Sequence, residues 1–167
     1  KNARAKLPQI LQALGCHKPL IITDKVMVSL GYVTDIQDLL KASQIDSDYF
    51  DETIPEPTSS SIEAGVAYVK SHQFDSIIAI GGGSPIDSAK AISILASFGG
   101  EISDYKFPRQ VNETGLPIIA IPTTAGTGSE CTRFTIITDD QSSEKMLCAG
   151  MGFLPVAAII DYQLTMT

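Results

Sequence analysis

Short apolar runs alternate along the chain with longer segments in which apolar residues recur every three or four positions. The apolar runs predict buried β-strands, and they lie at residues 19–23, 75–80, 116–121 and 156–160, with a weaker run at 49–54. The periodic segments predict amphipathic helices, and they lie at residues 7–14, 28–40, 62–70 and 89–95. Strands that alternate with helices at this spacing indicate an α/β fold with a doubly wound, mostly parallel sheet.

Residues typical of turns and helix ends divide these elements. Gly15 follows the first periodic segment and predicts the end of its helix. Ser59 or Ser60 is predicted to cap the helix that follows, because a serine hydroxyl accepts a hydrogen bond from a free helical N–H group. Two further apolar runs, at residues 134–138 and 145–148, are separated by a short polar segment. They predict a β-hairpin.

Length and composition narrow the class of protein. The 167 residues are enough for one compact domain, and we expect residues 1–167 to form it. A content of 44% hydrophobic and 19% charged residues separates the chain from disordered sequences. The net charge of -7 disfavours nucleic-acid binding, because phosphates are neutralised by clustered Lys and Arg, and the apolar runs are too short to span a membrane. Three widely spaced cysteines, with no leader segment, predict reduced thiols and a cytoplasmic location.

The run GGGSPID at residues 81–87 follows the clearest predicted strand and opens a predicted helix. Gly82 and Gly83 let the backbone approach an anion closely, and the free N–H groups at the helix start, around Ser84, attract phosphate. Ligands of open α/β sheets bind beyond the carboxyl ends of the strands, so this loop is a candidate pyrophosphate site. The alternative is a tight turn in which Ser84 is only a helix N-cap and Asp87 only its capping-box partner.

A second loop, PTTAGTGSE at residues 122–130, directly follows another predicted strand. The hydroxyl groups of Thr123, Thr124, Thr127 and Ser129 can hydrogen-bond ribose and phosphate oxygens. Taken alone, such a loop is as typical of a helix cap as of a binding site. It becomes a candidate site because its strand and the strand before the glycine run are expected to end at the same edge of the sheet.

The chain also contains isolated ionisable residues that bear on a binding site. Asp24 follows the first strand, where a carboxylate can accept hydrogen bonds from an adenosine ribose and repel a 2′-phosphate, which favours NAD over NADP; the alternative is a helix N-cap. Lys145, taken alone, is typical of a solvated surface lysine. His17 and His72 have no acid, Cys or second His at metal-ligand spacing, so no metal site is predicted in this chain.

The two loops together read GGGSPIDSAK at residues 81–90 and IPTTAGTGSE at residues 121–130. This pair of motifs resembles the signatures of the iron-containing (group III) alcohol dehydrogenases. The resemblance covers nearly the whole chain, from the TDK run at residues 23–25 to the IIDYQLT run at residues 159–165. It implies a Rossmann-like N-terminal domain, like that of dehydroquinate synthase, which binds NAD.

The resemblance also implies a role for individual residues. Asp24 would contact the adenosine ribose and Asp87 would lie near the nicotinamide. Lys145 would reach the nicotinamide-side ribose, with Leu164 packing close by. The remaining implied contacts are with the pyrophosphate and along the cofactor, and they fall on Gly82, Gly83, Ser84, Thr123, Thr124, Thr127 and Ser129.

By the same resemblance, the full-length enzyme would interconvert a primary alcohol and its aldehyde by hydride transfer. A following all-helical domain, absent from this chain, would hold Fe²⁺, or Zn²⁺, with one Asp and three His. The chain starts without Met and stops in a polar stretch, which is typical of a fragment. We therefore expect it to bind dinucleotide without turning over alcohol, and we expect the full-length protein to be a homo-oligomer that acts on small alcohols or aldehydes.

Glu56 departs from the family pattern, because many members carry Asn there in a Pro-Asn-Pro-Thr run. The chain also begins at a helix, where family members usually start with short strands that can pair between subunits. Three alternatives remain open from the sequence: a domain like that of glycerol dehydrogenase, one like that of dehydroquinate synthase, and a non-catalytic nucleotide-binding module. The TGSE run at residues 127–130 favours the alcohol dehydrogenases.

Overall fold

The structure is a computed structural model, and it describes residues 1–166. Its seven strands are β1 Pro19–Ile22, β2 Asp48–Phe50, β3 Ser76–Gly81, β4 Ile118–Pro122, β5 Phe134–Thr138, β6 Lys145–Ala149 and β7 Ala157–Ala158. Its α-helices are α1 Leu7–Leu14, α2 Lys25–Ser29, α3 Tyr32–Ala42, α4 Ser59–His72 and α5 Gly83–Phe98. Short 3₁₀ turns span Ala3–Lys6, Ile102–Tyr105, Ser129–Cys131, Met151–Phe153 and Tyr162–Thr165.

Five strands form one sheet in the order β2-β1-β3-β4-β7, and every neighbouring pair is parallel. Successive side chains of a strand point to opposite faces, so each central strand contributes to two hydrophobic clusters. In β3, Ile77 and Ala79 pack with α4 and α5, whereas Ile78 and Ile80 pack with α1 and α3. Helices therefore cover both faces, and the predicted doubly wound parallel sheet is confirmed.

The strands β5 and β6 form a separate antiparallel hairpin beside α5. One face of the hairpin is buried and packs into the cluster around α5 through Ile137, Met146 and Cys148. The other face exposes Phe134 and Ile136. The predicted hairpin is therefore confirmed, and it lies at the carboxyl edge of the main sheet, next to the start of α5.

The predicted N-cap of α4 is wrong by one or two residues. The cap is Thr58, whose Oγ1 accepts a hydrogen bond from the Ser61 N–H at 3.4 Å, while the Ser61 hydroxyl accepts one from the Thr58 N–H at 2.9 Å. The helix starts early enough that Ser59 and Ser60 lie in its first turn. They contact the hairpin instead, because Asp140 accepts hydrogen bonds from the Ser60 N–H at 2.7 Å and the Ser59 hydroxyl at 3.0 Å.

Two predicted strands are shorter than expected. The run at 156–160 contains only the two-residue β7, and Val156 and Ile160 are 48% and 56% exposed. Since β7 lies at the edge of the sheet and pairs with β4 alone among the described strands, Val156 and Ile160 are left uncovered, whereas Ile159 packs into the core. The run at 49–54 contributes only β2, which begins at Asp48 and ends at Phe50.

Asp75 joins the ends of two elements. Its carboxylate accepts hydrogen bonds from the His17 N–H at 2.6 Å, the Lys18 N–H at 3.0 Å and the Ser76 hydroxyl at 2.8 Å. Partial burial acts to raise the pKa of Asp75, but these hydrogen bonds outweigh it and hold the pKa below its usual value. The carboxylate thereby fixes the chain where it enters β1 against the start of β3.

We expect Asp75→Ala to lower the free energy of unfolding by about 1 to 2 kcal/mol at pH 7, because it removes hydrogen bonds to a charged acceptor. A carboxyl with a lowered folded-state pKa stabilises above its unfolded pKa of about 4 and loses that contribution as the pH falls. Urea unfolding at pH 7 and pH 3 measures this, with exposed Asp46→Ala as the control. A deficit that stayed the same at pH 3 would contradict the assignment.

Candidate functional site

Two adjoining cavities lie at the carboxyl edge of the main sheet. The larger has a volume of about 720 Å³, within the range of small-molecule sites, and the predicted residues on its wall are Asp24, Gly82, Gly83, Ser84, Thr123 and Thr124. The smaller has a volume of about 310 Å³, and the predicted residues on its wall are Gly83, Ser84, Asp87, Thr127, Ser129 and Lys145. The start of α5 is therefore the wall that the two cavities share.

The glycine loop joins β3 to α5 without a side-chain cap. Gly82 is the N-cap of α5 and makes no side-chain capping hydrogen bond, so the first N–H groups of this long helix face the cavities uncapped. Gly81 has φ 144°, and an added Cβ there would lie 2.7 Å from Cγ of Pro85. The sequence alternative for Ser84 is wrong, because the helix starts at Gly83 and Ser84 is inside its first turn.

The two predicted loops meet at Gly83. A Cβ added at Gly83 would lie 3.1 Å from Cγ2 of Thr127 and 3.3 Å from Oγ of Ser129. The neighbouring strands β3 and β4 also remain in register to their ends, since the Thr123 N–H donates to the Gly81 carbonyl at 2.9 Å. The expectation that both loops share one edge of the sheet is confirmed, and the space between them is too tight for a side chain at position 83 unless Thr127 or Ser129 shifts.

Asp24 is both a helix cap and a cavity residue. Its Oδ1 accepts a hydrogen bond from the Met27 N–H at 3.0 Å, so it is the N-cap of α2. The same side chain borders the larger cavity, and its Oδ2 lies toward Gly81, 3.6 Å from the position of an added Cβ. The two interpretations of Asp24 are therefore compatible, because capping uses one carboxylate oxygen and leaves the other at the cavity.

Lys90 is an ionisable residue of this region that the sequence did not single out. Its side chain is 0% exposed, and its Nζ donates hydrogen bonds to Oγ1 of Thr132 at 2.9 Å and to the Phe134 carbonyl at 2.9 Å. Oδ1 of Asp87 lies 3.4 Å from the same Nζ. The signal that was available is the spacing of Asp87 and Lys90, which places them on one helix face three residues apart.

Burial acts on both members of this pair. It raises the pKa of Asp87, with Lys90 opposing, and it lowers the pKa of Lys90, with Asp87 opposing. Asp87 also lies on the wall of the smaller cavity and is not the capping-box partner of Ser84. The ion pair lies within α5, and it is the hydrogen bonds from Lys90 to Thr132 and to the Phe134 carbonyl that tie α5 to the segment leading from the second loop into β5.

Lys145 begins β6 and points to the smaller cavity from the hairpin. Its Nζ lies 3.5 Å from Oε1 of Glu56, and the two side chains are 62% and 75% exposed. Glu56 has φ 51°, a left-handed conformation that Asn adopts more readily than Glu. The departure from the family pattern at this position thus gives Lys145 an acidic neighbour.

Leu164 lies away from both cavities. It is 2% exposed and packs in the hydrophobic cluster on the α1 and α3 side of the sheet. The structure does not bring it together with the other ten predicted residues, and its contact with a cofactor stays a prediction.

Residues 1–166 contain no cluster of three or more His, Cys, Asp or Glu side chains that could hold a metal ion. His72 stacks on the ring of Tyr68, and its Nδ1 lies 2.6 Å from the Ser71 hydroxyl. In the same part of the chain, no helix combines the length and the apolar character needed to cross a membrane.

Solved structures share this fold over nearly the whole chain. A 1,3-propanediol oxidoreductase superimposes with a TM-score of 0.93 at 33% identity, covering 98% of this chain and 43% of that one. A sulfoacetaldehyde reductase from Bifidobacterium kashiwanohense, solved in complex with NAD⁺, superimposes with a TM-score of 0.90 at 32% identity, covering 99% and 44%.

Curated protein sequences are also similar to this chain over most of its length. Alcohol dehydrogenase 4 of Saccharomyces cerevisiae is 39% identical over 144 residues, which is 86% of this chain and 38% of that protein. The NAD-dependent methanol dehydrogenase of Bacillus methanolicus is 36% identical over 154 residues, 92% of this chain and 40% of that protein. The chain therefore spans about two-fifths of these relatives. The family model for iron-containing alcohol dehydrogenase matches residues 1–162, and the chain belongs to that family.

Proposed function

We propose that the chain is the NAD-binding domain of a metal-dependent oxidoreductase that interconverts a primary alcohol and its aldehyde. The observation that carries this is the glycine loop, which places the uncapped N-terminus of α5 on the wall of both cavities. Uncapped helical N–H groups and a wall without side chains suit a pyrophosphate. The larger cavity, at about 720 Å³, has room for the adenosine part of a dinucleotide.

The larger cavity would hold the adenosine side of the cofactor, and the smaller cavity would hold the nicotinamide side. Asp24 would accept hydrogen bonds from the adenosine ribose, and Asp87 and Lys145 would lie at the nicotinamide end. A contact between Leu164 and the cofactor would lie outside the two cavities. The backbone and hydroxyl groups between them would hold the phosphates and riboses, and they belong to Gly82, Gly83, Ser84, Thr123, Thr124, Thr127 and Ser129. Hydroxyl groups serve here because they both donate and accept hydrogen bonds.

Bound NAD supplies the hydride acceptor or donor of the reaction. The residues of this chain would fix the position and orientation of the dinucleotide. The family is iron-containing, and we place the Fe²⁺, or Zn²⁺, ligands in a following all-helical domain, which leaves residues 1–167 as the dinucleotide-binding domain. We further propose that the full-length protein is a cytoplasmic homo-oligomer.

Calorimetric titration with NADH tests the site. Gly83→Val should weaken NADH binding at least about tenfold, because a branched side chain there fills the space between the two loops. A tenfold loss corresponds to about 1.4 kcal/mol of binding free energy. Gly83→Ala should have a smaller effect of the same sign, since its Cβ alone is tolerated if Thr127 moves by a few tenths of an ångström.

Ala42→Val, an exposed substitution on α3, is the matched control for adding a branched side chain to a helix. Thermal melting establishes that each variant is folded before titration. The proposal fails if the folded wild-type chain binds no NADH, or if Gly83→Val binds it as tightly as Ala42→Val.

A further inference from the structure

The larger cavity is strongly acidic on the side formed by β1 and β2. Three carboxylates border it there, those of Asp24, Asp51 and Glu52, together with the ammonium group of Lys25. Of these three carboxylates, the sequence predicts only that of Asp24 at this edge of the sheet, because Asp24 directly follows a predicted strand. Asp51 and Glu52 fall within the run 49–54 that was predicted as strand, yet β2 ends at Phe50 and leaves both at the cavity wall.

Hydrogen bonds hold the segment after β2 against the end of β1. The Thr23 N–H donates to the Phe50 carbonyl at 2.9 Å, and the Thr53 hydroxyl donates to the Thr23 carbonyl at 2.6 Å. Both threonines are buried, and an isolated β-bridge pairs Asp24 with Glu52. The backbone positions of the three carboxylates are therefore fixed relative to one another by the sheet.

The carboxylates of Asp51 and Glu52 are free to act on a ligand. Within residues 1–166 neither forms a salt bridge or accepts a side-chain hydrogen bond, whereas one oxygen of Asp24 is already used by the Met27 N–H. Lys25 is the one cation on this wall of the described cavity, so the wall carries a net negative charge.

We infer that Asp51 and Glu52 act with Asp24 as specificity-determining residues that select NADH over NADPH. This rests on the proposed function, because it assigns the larger cavity to the adenosine ribose. The two cofactors differ there by a 2′-hydroxyl against a 2′-phosphate that carries nearly two negative charges. A ribose hydroxyl can donate to a carboxylate, but a phosphate is repelled by each of the three, and the wall of a cavity screens that repulsion less than open water does.

The test measures the ratio of the dissociation constants for NADPH and NADH in the 167-residue chain. Neutralising the two new residues, in Asp51→Asn/Glu52→Gln, should lower this ratio at least about tenfold at low ionic strength, and added salt should shrink the change. Asp24→Asn keeps a capping side chain and should lower the ratio further when combined with the pair.

The matched control is Asp38→Asn/Asp46→Asn, which makes the same change in net charge at exposed positions bordering a different surface groove. An unchanged ratio in this control, with a lowered ratio in Asp51→Asn/Glu52→Gln, supports the inference. If wild type binds NADH but the ratio does not move in Asp51→Asn/Glu52→Gln, or moves equally in the control, the inference is overturned and the proposed function stands. If the folded wild type binds neither dinucleotide, both are overturned.

Discussion

Replacing Gly150 by alanine is expected to lower the free energy of unfolding by about 4 kcal/mol or more, a large part of the roughly 5 to 15 kcal/mol by which a folded domain is stable. Gly150 has φ 140°, which side-chain-bearing residues rarely adopt. An added Cβ would overlap the backbone of Val111, coming within 2.5 Å of its nitrogen and 2.6 Å of its carbonyl carbon. Backbone atoms cannot rotate away as a side chain does.

The overlap is severe because two hydrogen bonds hold Val111 in place. Its N–H donates to the Ala149 carbonyl at 2.9 Å, and its carbonyl accepts from the Gly152 N–H at 2.9 Å. Relieving the contact would break this pairing, which anchors the segment before β4 to the end of β6.

Gly126→Ala is the matched control, because Gly126 has φ 123° and no atom within 4 Å of an added Cβ. It should cost only the backbone strain of about 1 to 3 kcal/mol. Soluble yield and urea unfolding measure both variants. Equal losses in the two would show that the contact with Val111 contributes nothing.

Lys90→Ala is expected to lower the free energy of unfolding by about 3 to 5 kcal/mol, because removing one partner of a buried pair leaves the other uncompensated. The loss includes the hydrogen bonds from Nζ to Thr132 and to the Phe134 carbonyl, and the cavity left by a fully buried side chain. Lys90→Met keeps most of the volume, so it isolates the loss of charge and hydrogen bonds. Urea unfolding at pH 7 measures the deficit of both variants.

The same variants give a pH test. Burial already raises the pKa of Asp87, and loss of Lys90 raises it further. A carboxyl whose folded-state pKa is raised stabilises the fold below its unfolded pKa of about 4 and loses that contribution as the pH rises. The deficit of Lys90→Met relative to wild type should therefore shrink when the pH is lowered from 7 to 4.

Asp87→Asn in the Lys90→Met background serves as the control, since it removes the titrating group. At pH 7 the double variant should be more stable than Lys90→Met, because it lacks the ionised carboxylate. At pH 4 the two variants should be equally stable. If the deficit of Lys90→Met were the same at both pH values, the charge of Lys90 would not affect the folded-state pKa of Asp87, and the prediction would be wrong.

The central strands β1, β3 and β4 could be predicted from the sequence because a strand covered by helices on both faces is a continuous apolar run. The last strand could not, because an apolar run such as that at 156–160 does not reveal whether it lies in the middle or at the edge of the sheet. Its exposed flanks depend on pairing with β4 alone, which only the assembled sheet determines.

Some parts of the candidate site could likewise be predicted from the sequence, and others could not. The two loops could be located because each directly follows a buried strand, and neighbouring parallel strands end at the same edge. The spacing of Lys90 and Asp87 indicates that they share a helix face, but the burial of Lys90 could not be predicted, because a lysine in a helix is usually solvated and this one is covered by the hairpin that packs over α5. The place of Asp51 and Glu52 on the cavity wall could not be predicted either, because the apolar run at 49–54 predicts a strand that continues past Phe50, where β2 ends.

The strand order β2-β1-β3-β4-β7 also bears on how quickly the chain reaches this structure. Each pairing in the main sheet is parallel, so each must close a crossover through intervening segments before it gains a hydrogen bond. The β5–β6 hairpin is a local pairing that can form within microseconds, yet its buried face packs into the cluster around α5. We therefore expect the non-local pairings of the main sheet to limit the folding rate, and the hairpin at the proposed nicotinamide end can be held in place only once the cluster around α5 has formed.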